Sequence, residues 1–343
     1  MLSIAIGLFL ACLVAFPGEA AEAAARGFGV WATAVLPTLF PFMVCCQLLA
    51  ASDGPARLGA PLDGFMRRFF RCPGEAASLA LLGFLGGSPS GSKLIAAHRA
   101  QGALTQAEAE RLACLTGTVS PMFLLGTLAV WVGVPGVGWL LLGGHWVGAV
   151  VVGLVFARLI PGEDFAPALR PPLRRVPGPV LFREALASSA EAMLLVGGCI
   201  ALGTVASAIA QRLFPFMSTG LSAGLHAVLE MAGGAAELAA LRLPTHTMLC
   251  VLAAAPSLGG LSILAQNLAF LSGANVRAWP LVLARLLHAG LSALIVWMFA
   301  PQATPVSVVY TQTLSPAMHG IVLCVAPGAL WLISRLDTGR KIR

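Results

Sequence analysis

Ten apolar stretches follow one another along this 343-residue chain. They occupy roughly residues 2–17, 28–51, 76–95, 112–132, 137–157, 186–210, 221–241, 247–271, 278–300 and 318–334. Since an α-helix of about 20 residues crosses the hydrocarbon core of a bilayer, most of these stretches qualify as transmembrane spans. Because 58% of the residues are hydrophobic and only 10% are charged, a soluble domain of this size is excluded. We predict an all-α polytopic membrane protein.

Two of the apolar stretches are interrupted by segments rich in glycine and serine. The first glycine–serine segment runs from Gly86 to Lys93, and the second runs from Pro256 to Ser262. Lipid offers no hydrogen-bond partners, so non-helical backbone at this depth must be buried in protein or line a polar cavity. Paired interruptions in the two halves of a chain indicate a transport site. We therefore predict about eight transmembrane helices plus two re-entrant helical hairpins, at 76–95 and 247–271.

A segment rich in proline and arginine, 161–184, divides the chain into two membrane halves, 1–160 and 185–343. Each half contains two helices, an interrupted segment and two further helices, so we interpret the halves as a pseudo-repeat. An even number of helices in each half favours parallel halves, and inverted halves would require one miscounted span.

Arginines cluster near 57–71, 158–183 and 335–343, and short loops rich in Lys and Arg stay cytoplasmic. All three clusters share one side of the membrane if 76–95 re-enters, so we predict that both termini are cytoplasmic.

The first stretch has no basic residue before it, which favours a retained helix over a cleaved signal peptide. The net charge of +7 is explained by these loops and does not indicate nucleic acid. Eight scattered cysteines without a C-x-x-C motif predict no metal or cofactor site.

The first glycine–serine segment is predicted to face an anionic or polar solute. Lys93 is the only lysine before the C-terminal tail, and three serines precede it closely. The N-terminus of a half-helix presents unpaired N–H groups and a partial positive charge, which suit an anion. The alternative is that Lys93 extends to the cytoplasmic surface. The candidate solute-binding residues here are Gly87, Ser88, Pro89, Ser90, Gly91, Ser92 and Lys93.

The second glycine–serine segment is followed by an amide pair that is expected to face the protein interior rather than lipid. This pair either binds solute or forms hydrogen bonds between helices. The candidates here are Ser257, Gly259, Gly260, Ser262, Gln266 and Asn267. Thr118 and Ser120 are added because Pro121 interrupts their span.

Three further polar residues lie within apolar stretches. Glu230 is a candidate to couple a proton or cation. Arg285 and His288 share one helix face, and for them we predict packing or interfacial roles.

Ser90 and Lys93 also have the spacing of a Ser/Lys acyl-transfer pair, which leaves an intramembrane hydrolase as an alternative. No companion motif accompanies the pair, and the phosphate-binding loop pattern is not matched around Gly86 and Gly91. We predict that the chain is not an enzyme and has no catalytic residue.

Several motifs in collinear order resemble one known family. They are Gly27-x-x-Val30-Trp31 with Val35-Leu36-Pro37-x-Leu39-Phe40-Pro41-Phe42, the run from Gly83 to Lys93, Ala109-Glu110-Arg111-Leu112 with Ser120-Pro121, Leu229-Glu230 with Gly233, Gly259-Gly260-Leu261-Ser262 with Gln266, and Ala284-Arg285-Leu286-Leu287-His288. The chain in this respect resembles YlbJ-type sporulation integral membrane proteins. That family is similar to nucleoside-recognition, or Gate, domain proteins, which are related to concentrative nucleoside transporters with two re-entrant hairpins. The chain departs from the family pattern at two positions. Ser92 stands where alanine is expected, and Ala232 stands where threonine or asparagine is expected.

The resemblance implies a solute carrier of sporulating bacteria that is located in the cell membrane. The mother-cell membrane and the outer forespore membrane are the specific membranes expected. Members are associated with spore cortex formation and with moving dipicolinate, a planar dianion, toward the forespore. Among small anionic or nucleoside-like solutes, the resemblance therefore favours dipicolinate. The predicted partners are a small solute, the lipid bilayer and a coupling cation, with a homo-oligomer as a further option and no nucleic acid. The alternative is a non-transporting membrane scaffold or subunit needed for spore formation.

Overall fold

The computed structural model describes residues 2–52, 54–134, 136–162 and 178–300, and within them it contains helices and loops but no strand. Within these ranges, five helices are long and apolar enough to cross a membrane: Pro17–Ala50, Val137–Leu159, Gly178–Leu213, Thr245–Ala274 and Ala278–Phe299. The predicted all-helical membrane fold is thereby confirmed. The predicted span 318–334, linker residues 163–177 and the C-terminal arginine cluster lie outside the described residues.

After a short first helix, the first half of the described chain contains a long helix, a helical hairpin, an interrupted helix and a straight helix. The long helix joins α2 to α3 through a π-helical turn at Trp31–Val35, and a second π-helical turn at Phe123–Leu128 precedes α8. The helices are α1 Leu2–Ala15, α2 Pro17–Val30, α3 Leu36–Ala50, α4 Gly54–Gly59, α5 Asp63–Phe70, α6 Glu75–Ala100, α7 Gln106–Leu115, α8 Ala129–Val132 and α9 Val137–Leu159.

The second half repeats this order of long helix, hairpin, interrupted helix and straight helix. Its first helix begins at Gly178, so the end of the predicted linker 161–184 is helical. The helices are α10 Gly178–Leu213, α11 Thr219–Leu229, α12 Met231–Ala240, α13 Thr245–Leu258, α14 Gly260–Leu271 and α15 Ala278–Phe299.

The chain turns back on itself within α6, which we call hairpin 1. Gly87 adopts φ 75° and ψ 176°, a conformation that L side chains rarely adopt. A Cβ atom placed on Gly83 would lie 3.3 Å from Gly91 Cα. In a straight helix, residues eight positions apart are about 12 Å apart along the axis, so the two halves of α6 must run side by side. The two half-helices of α6 therefore pack as a helical hairpin within 76–95, and its re-entry into the membrane stays a prediction.

A second hairpin is formed by α11 and α12, not by 247–271. The chain reverses at Glu230, and a Cβ atom on Gly234 would overlap the backbone of Ala227, so the two helices touch backbone to backbone. We call this pair hairpin 2; the sequence predicted one span there, at 221–241.

The predicted hairpin at 247–271 is wrong, because its two half-helices do not pack along each other. Instead α13 packs on α15, whereas α14 packs on α6 and α10. Gly259 and Gly260 have φ of 77° and 67°, which interrupts the helix while its second half continues across the bundle. A hairpin requires small residues facing each other, a condition that Ala227 and Gly234 meet.

The two halves run in opposite directions. A Cβ atom on Gly27 of α2 would lie 2.8 Å from Ala201 Cα of α10. The Oε1 atom of Glu19 in α2 lies 3.5 Å from the Nε atom of Arg212 in α10. These contacts make the first long helices of the halves antiparallel. From α2 onward, the described part of each half contains a long helix, an interrupted helix and a straight helix besides its hairpin, which is the arrangement of an inverted repeat. The expectation of parallel halves is wrong because the repeat begins at α2, so that the stretch 2–17, which lies outside the repeat, was counted within the first half.

Arginines collect at the end of the bundle where hairpin 1 begins. There Arg158 Nη1 donates to the Phe69 carbonyl at 3.1 Å, and Arg111 Nη1 donates to the Arg71 carbonyl at 2.8 Å. Arg277, just before α15, donates from Nε to both oxygens of Glu110 in α7, at 2.9 and 3.1 Å. The Glu110 side chain is fully enclosed, so this ion pair joins the two halves at the arginine-rich end.

We expect the Glu110–Arg277 pair to show a coupling free energy of about 1–2 kcal/mol in a double-mutant cycle of Glu110→Gln and Arg277→Gln. A fork of charge-assisted hydrogen bonds to an enclosed carboxylate is stronger than an exposed pair. Unfolding of the detergent-solubilised protein in denaturant would measure it. The control is Glu22 and Arg26, an exposed pair 3.9 Å apart, whose coupling should be near zero. Equal coupling in the two cycles would contradict the prediction.

Candidate functional site

A cavity of about 500 Å³, counted with its opening to solvent, lies between the tips of the two hairpins. Hairpin 1 brings residues 87–89 to it, and hairpin 2 brings residues 230–232. Both hairpin tips are points where the helix is interrupted, so polar backbone is gathered inside an otherwise apolar bundle. The remaining wall consists of Val35, Thr38, Leu39, Thr118, Val119, Ser120, Phe123, Val196, Ile200, Ile263 and Gln266.

The cavity wall is mostly apolar and carries a small set of polar groups. Among the residues that line it, Glu230 is the only carboxylate, and the rest of the polar side chains are hydroxyls and the amide of Gln266. The Thr118 hydroxyl is buried and has no hydrogen-bond partner within the described part of the chain. An unpaired buried hydroxyl is costly, so a ligand that bonded it would recover free energy. Apolar walls with a few convergent polar groups are typical of small-molecule sites.

Glu230 determines the conformation of the hairpin 2 tip. It is the N-cap of α12: its Oε1 accepts from Ala232 N at 2.8 Å and its Oε2 from Gly233 N at 2.6 Å. The helix dipole favours a carboxylate at this position. Gly203 of α10 lets the tip approach, since a Cβ there would lie 2.8 Å from Glu230 Cβ. The residue is 1% exposed, so a carboxyl group is held inside the bundle beside the cavity.

Asn267 ties hairpin 1 to α14. Its Nδ2 donates to Ser88 Oγ at 2.6 Å, and its Oδ1 accepts from Ser92 Oγ at 3.1 Å. The amide pair predicted from the sequence therefore divides in two. Asn267 forms hydrogen bonds between helices, whereas Gln266 lines the cavity.

Lys93 is placed away from the cavity wall. Its Nζ donates to the carbonyl and the hydroxyl of Ser188 in α10, both at 2.7 Å, and lies 5.6 Å from the centre of the Phe270 ring. Ser90 Oγ donates to the Gly86 carbonyl at 3.1 Å, inside its own hairpin. Ser90 and Lys93 thus have different partners, and the geometry does not show the Ser/Lys pair that the hydrolase alternative needs. Gly91 faces Gly83 across the hairpin.

The residues of the second glycine–serine segment pack against neighbouring helices and are not part of the cavity wall. A Cβ on Gly260 would lie 2.8 Å from the Ala227 carbonyl oxygen of hairpin 2, so a glycine is needed for this approach. The Ser262 hydroxyl is enclosed and has no partner among the described residues. Gly259 supplies the turn, and Ser257 lies in a hydrogen-bond network behind the wall.

His145, which the sequence interpretation did not single out, joins the interrupted helices of the two halves. Its Nε2 accepts from Val119 N at 3.0 Å, and its Nδ1 lies 2.8 Å from Ser257 Oγ. Ser257 in turn donates to Ser292 at 2.9 Å. The missed signal was a histidine in the middle of an apolar span, which is expected to face the protein interior.

The apolar wall residues from α10, Val196 and Ile200, were also missed, because nothing local distinguishes them from lipid-facing residues of the same helix. The same holds for Val35, which lies at the end of a π-helical turn. Such turns frequently occur at functional sites, but the sequence carries no simple signal for them.

Comparisons with known proteins agree with the resemblance inferred from the motifs. Residues 32–138, which include hairpin 1 and the 116–120 loop, match the profile of the family described as Gate: Nucleoside recognition. The chain is 31% identical over 223 residues to the sporulation integral membrane protein YlbJ of Bacillus subtilis (strain 168), an alignment that covers 58% of this chain and 53% of that relative. The chain thus spans about half the length of the curated relative it matches. No solved structure matches it. The predicted resemblance to YlbJ-type and Gate proteins is confirmed.

Proposed function

From this similarity to YlbJ and to Gate proteins, we propose that the chain is an integral membrane carrier whose solute binds in the cavity between the hairpin tips. The observation that supports the proposal most directly is the meeting of two hairpins from inverted halves at one cavity. Inverted repeats with interrupted helices around a central site are the general architecture of alternating-access carriers.

The cavity favours a small, ring-bearing solute that is neutral and rich in hydrogen-bonding groups. Its walls offer aliphatic and phenyl surface to a ring, and Thr118, Ser120 and Gln266 offer hydrogen bonds to its polar edge. Lys93 would not compensate an anion here, since it is bonded to Ser188. A nucleoside-like solute meets these requirements, in agreement with the nucleoside-recognition description of the matching family.

Dipicolinate is the second candidate, and the helix ends at the cavity support it. The second half of hairpin 1 begins at Ser88, and another helix begins at Pro121, next to Ser120, with Ser120 Oγ accepting from Phe123 N at 3.3 Å. Helix N-termini favour the carboxylates of such a ring. Glu230 would repel a dianion, so we propose that dipicolinate moves together with a cation or proton bound at Glu230.

We propose that the arginine-rich end faces the cytoplasm, because short loops rich in basic residues stay on that side. The described residues bring Arg67, Arg111, Arg158 and Arg277 to this end. We also propose a non-enzymatic role, because Ser90 and Lys93 are bonded to different partners.

Uptake of labelled uridine and of labelled dipicolinate into proteoliposomes tests the proposal. We expect Thr118→Val, which removes one hydroxyl at nearly constant shape, to weaken the apparent affinity about five- to tenfold, as for a single lost hydrogen bond. Ser262→Ala is the matched control, since its hydroxyl is also enclosed and unpaired among the described residues but does not line the cavity. Equal effects of the two substitutions would contradict the placement of the site. No uptake of either solute by the wild type would favour the scaffold alternative.

A further inference from the structure

Arg285 lies inside α15, one of the helices that are apolar enough to cross a membrane. It is 6% exposed, and its guanidinium rests directly on Gly117 of the 116–120 loop. Any side chain at Gly117 would occupy the position of the Arg285 Nη2 atom. The arginine and the loop therefore fit together only because residue 117 is a glycine.

The positive charge of Arg285 has no carboxylate partner in the described part of the chain. No hydrogen bond or ion pair joins its guanidinium to any described residue, although a guanidinium carries five N–H donors. The end of α7, two residues before Gly117, contributes at most a partial negative charge. A charged side chain inside a membrane protein is normally paired, because its desolvation is costly.

The titratable groups that face Arg285 are Cys114, His145 and His288, and none of them supplies the missing negative charge. His145 Nε2 accepts a hydrogen bond from Val119 N and so carries no proton at that atom. His288 Nε2 donates to the His145 carbonyl at 2.8 Å, and the two rings lie 4.5 Å apart. The two imidazoles beside Arg285 are therefore already engaged in hydrogen bonds, and neither offers a negative charge to the guanidinium.

The guanidinium is nevertheless within reach of a small group. Arg285 as a whole keeps 6% of its surface accessible, and none of its nitrogens is among the fully enclosed unpaired atoms of the described residues. The adjacent Thr118 lines the cavity between the hairpin tips, so the loop that contacts Arg285 also borders that cavity.

We propose that Arg285, resting on the 116–120 loop, is the centre of a binding site for a small monovalent anionic group, a carboxylate or chloride. The site would complete the charge balance that the described residues leave open at this point. It rests on Arg285 and its surroundings and does not require that the chain transports a solute.

Thermal unfolding of the purified full chain in detergent, followed by fluorescence of its seven tryptophans, tests this site. Sodium chloride and sodium acetate are titrated separately, with ionic strength held constant by sodium methanesulfonate. We expect a saturable rise in the wild-type midpoint of about 5 °C at a hundredfold excess of anion over its Kd. A response to acetate alone assigns a carboxylate, a response to chloride alone assigns the inorganic ion, and a response to both supports the general site.

Arg285→Gln should abolish the rise, whereas Arg26→Gln, which removes an exposed surface arginine, should keep it in full. An equal rise in Arg285→Gln and wild type would overturn the proposal, as would a wild type that responds to neither anion. If Arg285→Gln does not fold, chloride-35 line broadening on the wild type, and its reversal by acetate, measures the site directly. Absence of both broadening and an acetate response would also overturn it.

Discussion

Gly234→Ala is expected to separate the two helices of hairpin 2 and to lower the free energy of unfolding by about 3 kcal/mol or more. The added methyl group would overlap the backbone of Ala227, and backbone atoms cannot rotate away as a side chain can. The tip at Glu230 would shift with the helices, so the cavity wall would change as well. The midpoint of thermal unfolding in detergent, together with the yield of folded protein, measures the effect.

Gly224→Ala provides the matched control on the same hairpin. Gly224 lies in α11 with no atom within 4 Å of a Cβ placed there. Alanine is the better helix former by about 0.5–1 kcal/mol, so this variant should be as stable as the wild type or slightly more stable. Gly234→Ala with wild-type stability would show that the two helices do not touch as described.

Glu230→Gln is expected to reduce solute uptake by about tenfold or more, and to lower stability by about 1–2 kcal/mol through loss of the α12 cap. An amide would place N–H donors against the N–H groups of Ala232 or Gly233, where the carboxylate now accepts both hydrogen bonds. It would also remove the negative charge proposed to bind a cation or proton. Uptake and thermal unfolding should be measured on the same preparations.

Glu237→Gln is the control, because Glu237 is on the same hairpin, is 45% exposed and pairs with His226 at 2.8 Å outside the cavity wall. We expect this variant to retain uptake. Glu230→Asp keeps the charge on a shorter arm and should retain more uptake than Glu230→Gln. If Glu230→Gln carries solute as well as the wild type, Glu230 is a structural cap and does not couple a cation.

Hairpin 1 could be predicted because its signal is local: glycine and serine interrupt an apolar stretch, and Gly87 supplies the required backbone conformation. Hairpin 2 could not, because Glu230 and the glycines Gly233 and Gly234 indicate an interruption of the stretch 221–241 but not a reversal of the chain. What distinguishes it is a contact between Ala227 and Gly234 across the turn, together with a glutamate that caps the returning helix. The second glycine–serine segment has the stronger local signal, yet glycine content specifies an interruption and not a change of direction.

The candidate site shows the same limit. The sequence interpretation selected Glu230, Ser88 and Gln266, and the structure places all three on one cavity, although their roles stay predictions. The direction of Lys93 depends on Ser188, a residue 95 positions away, so no local pattern could specify it. The apolar residues of the wall come from long helices whose lipid-facing and protein-facing sides have similar composition.

The bond from His145 to both interrupted helices restricts which parts of the molecule can slide past one another. Moving the 116–120 loop relative to Ser257 would break the bonds to Val119 N and to Ser257 Oγ, which is costly because both lie in the buried interior. We therefore expect the two unwound segments and α9 to move together as one body. Any change that opens the cavity to one side of the membrane and then to the other has to occur at the surfaces between this body and the long helices α2–α3 and α10.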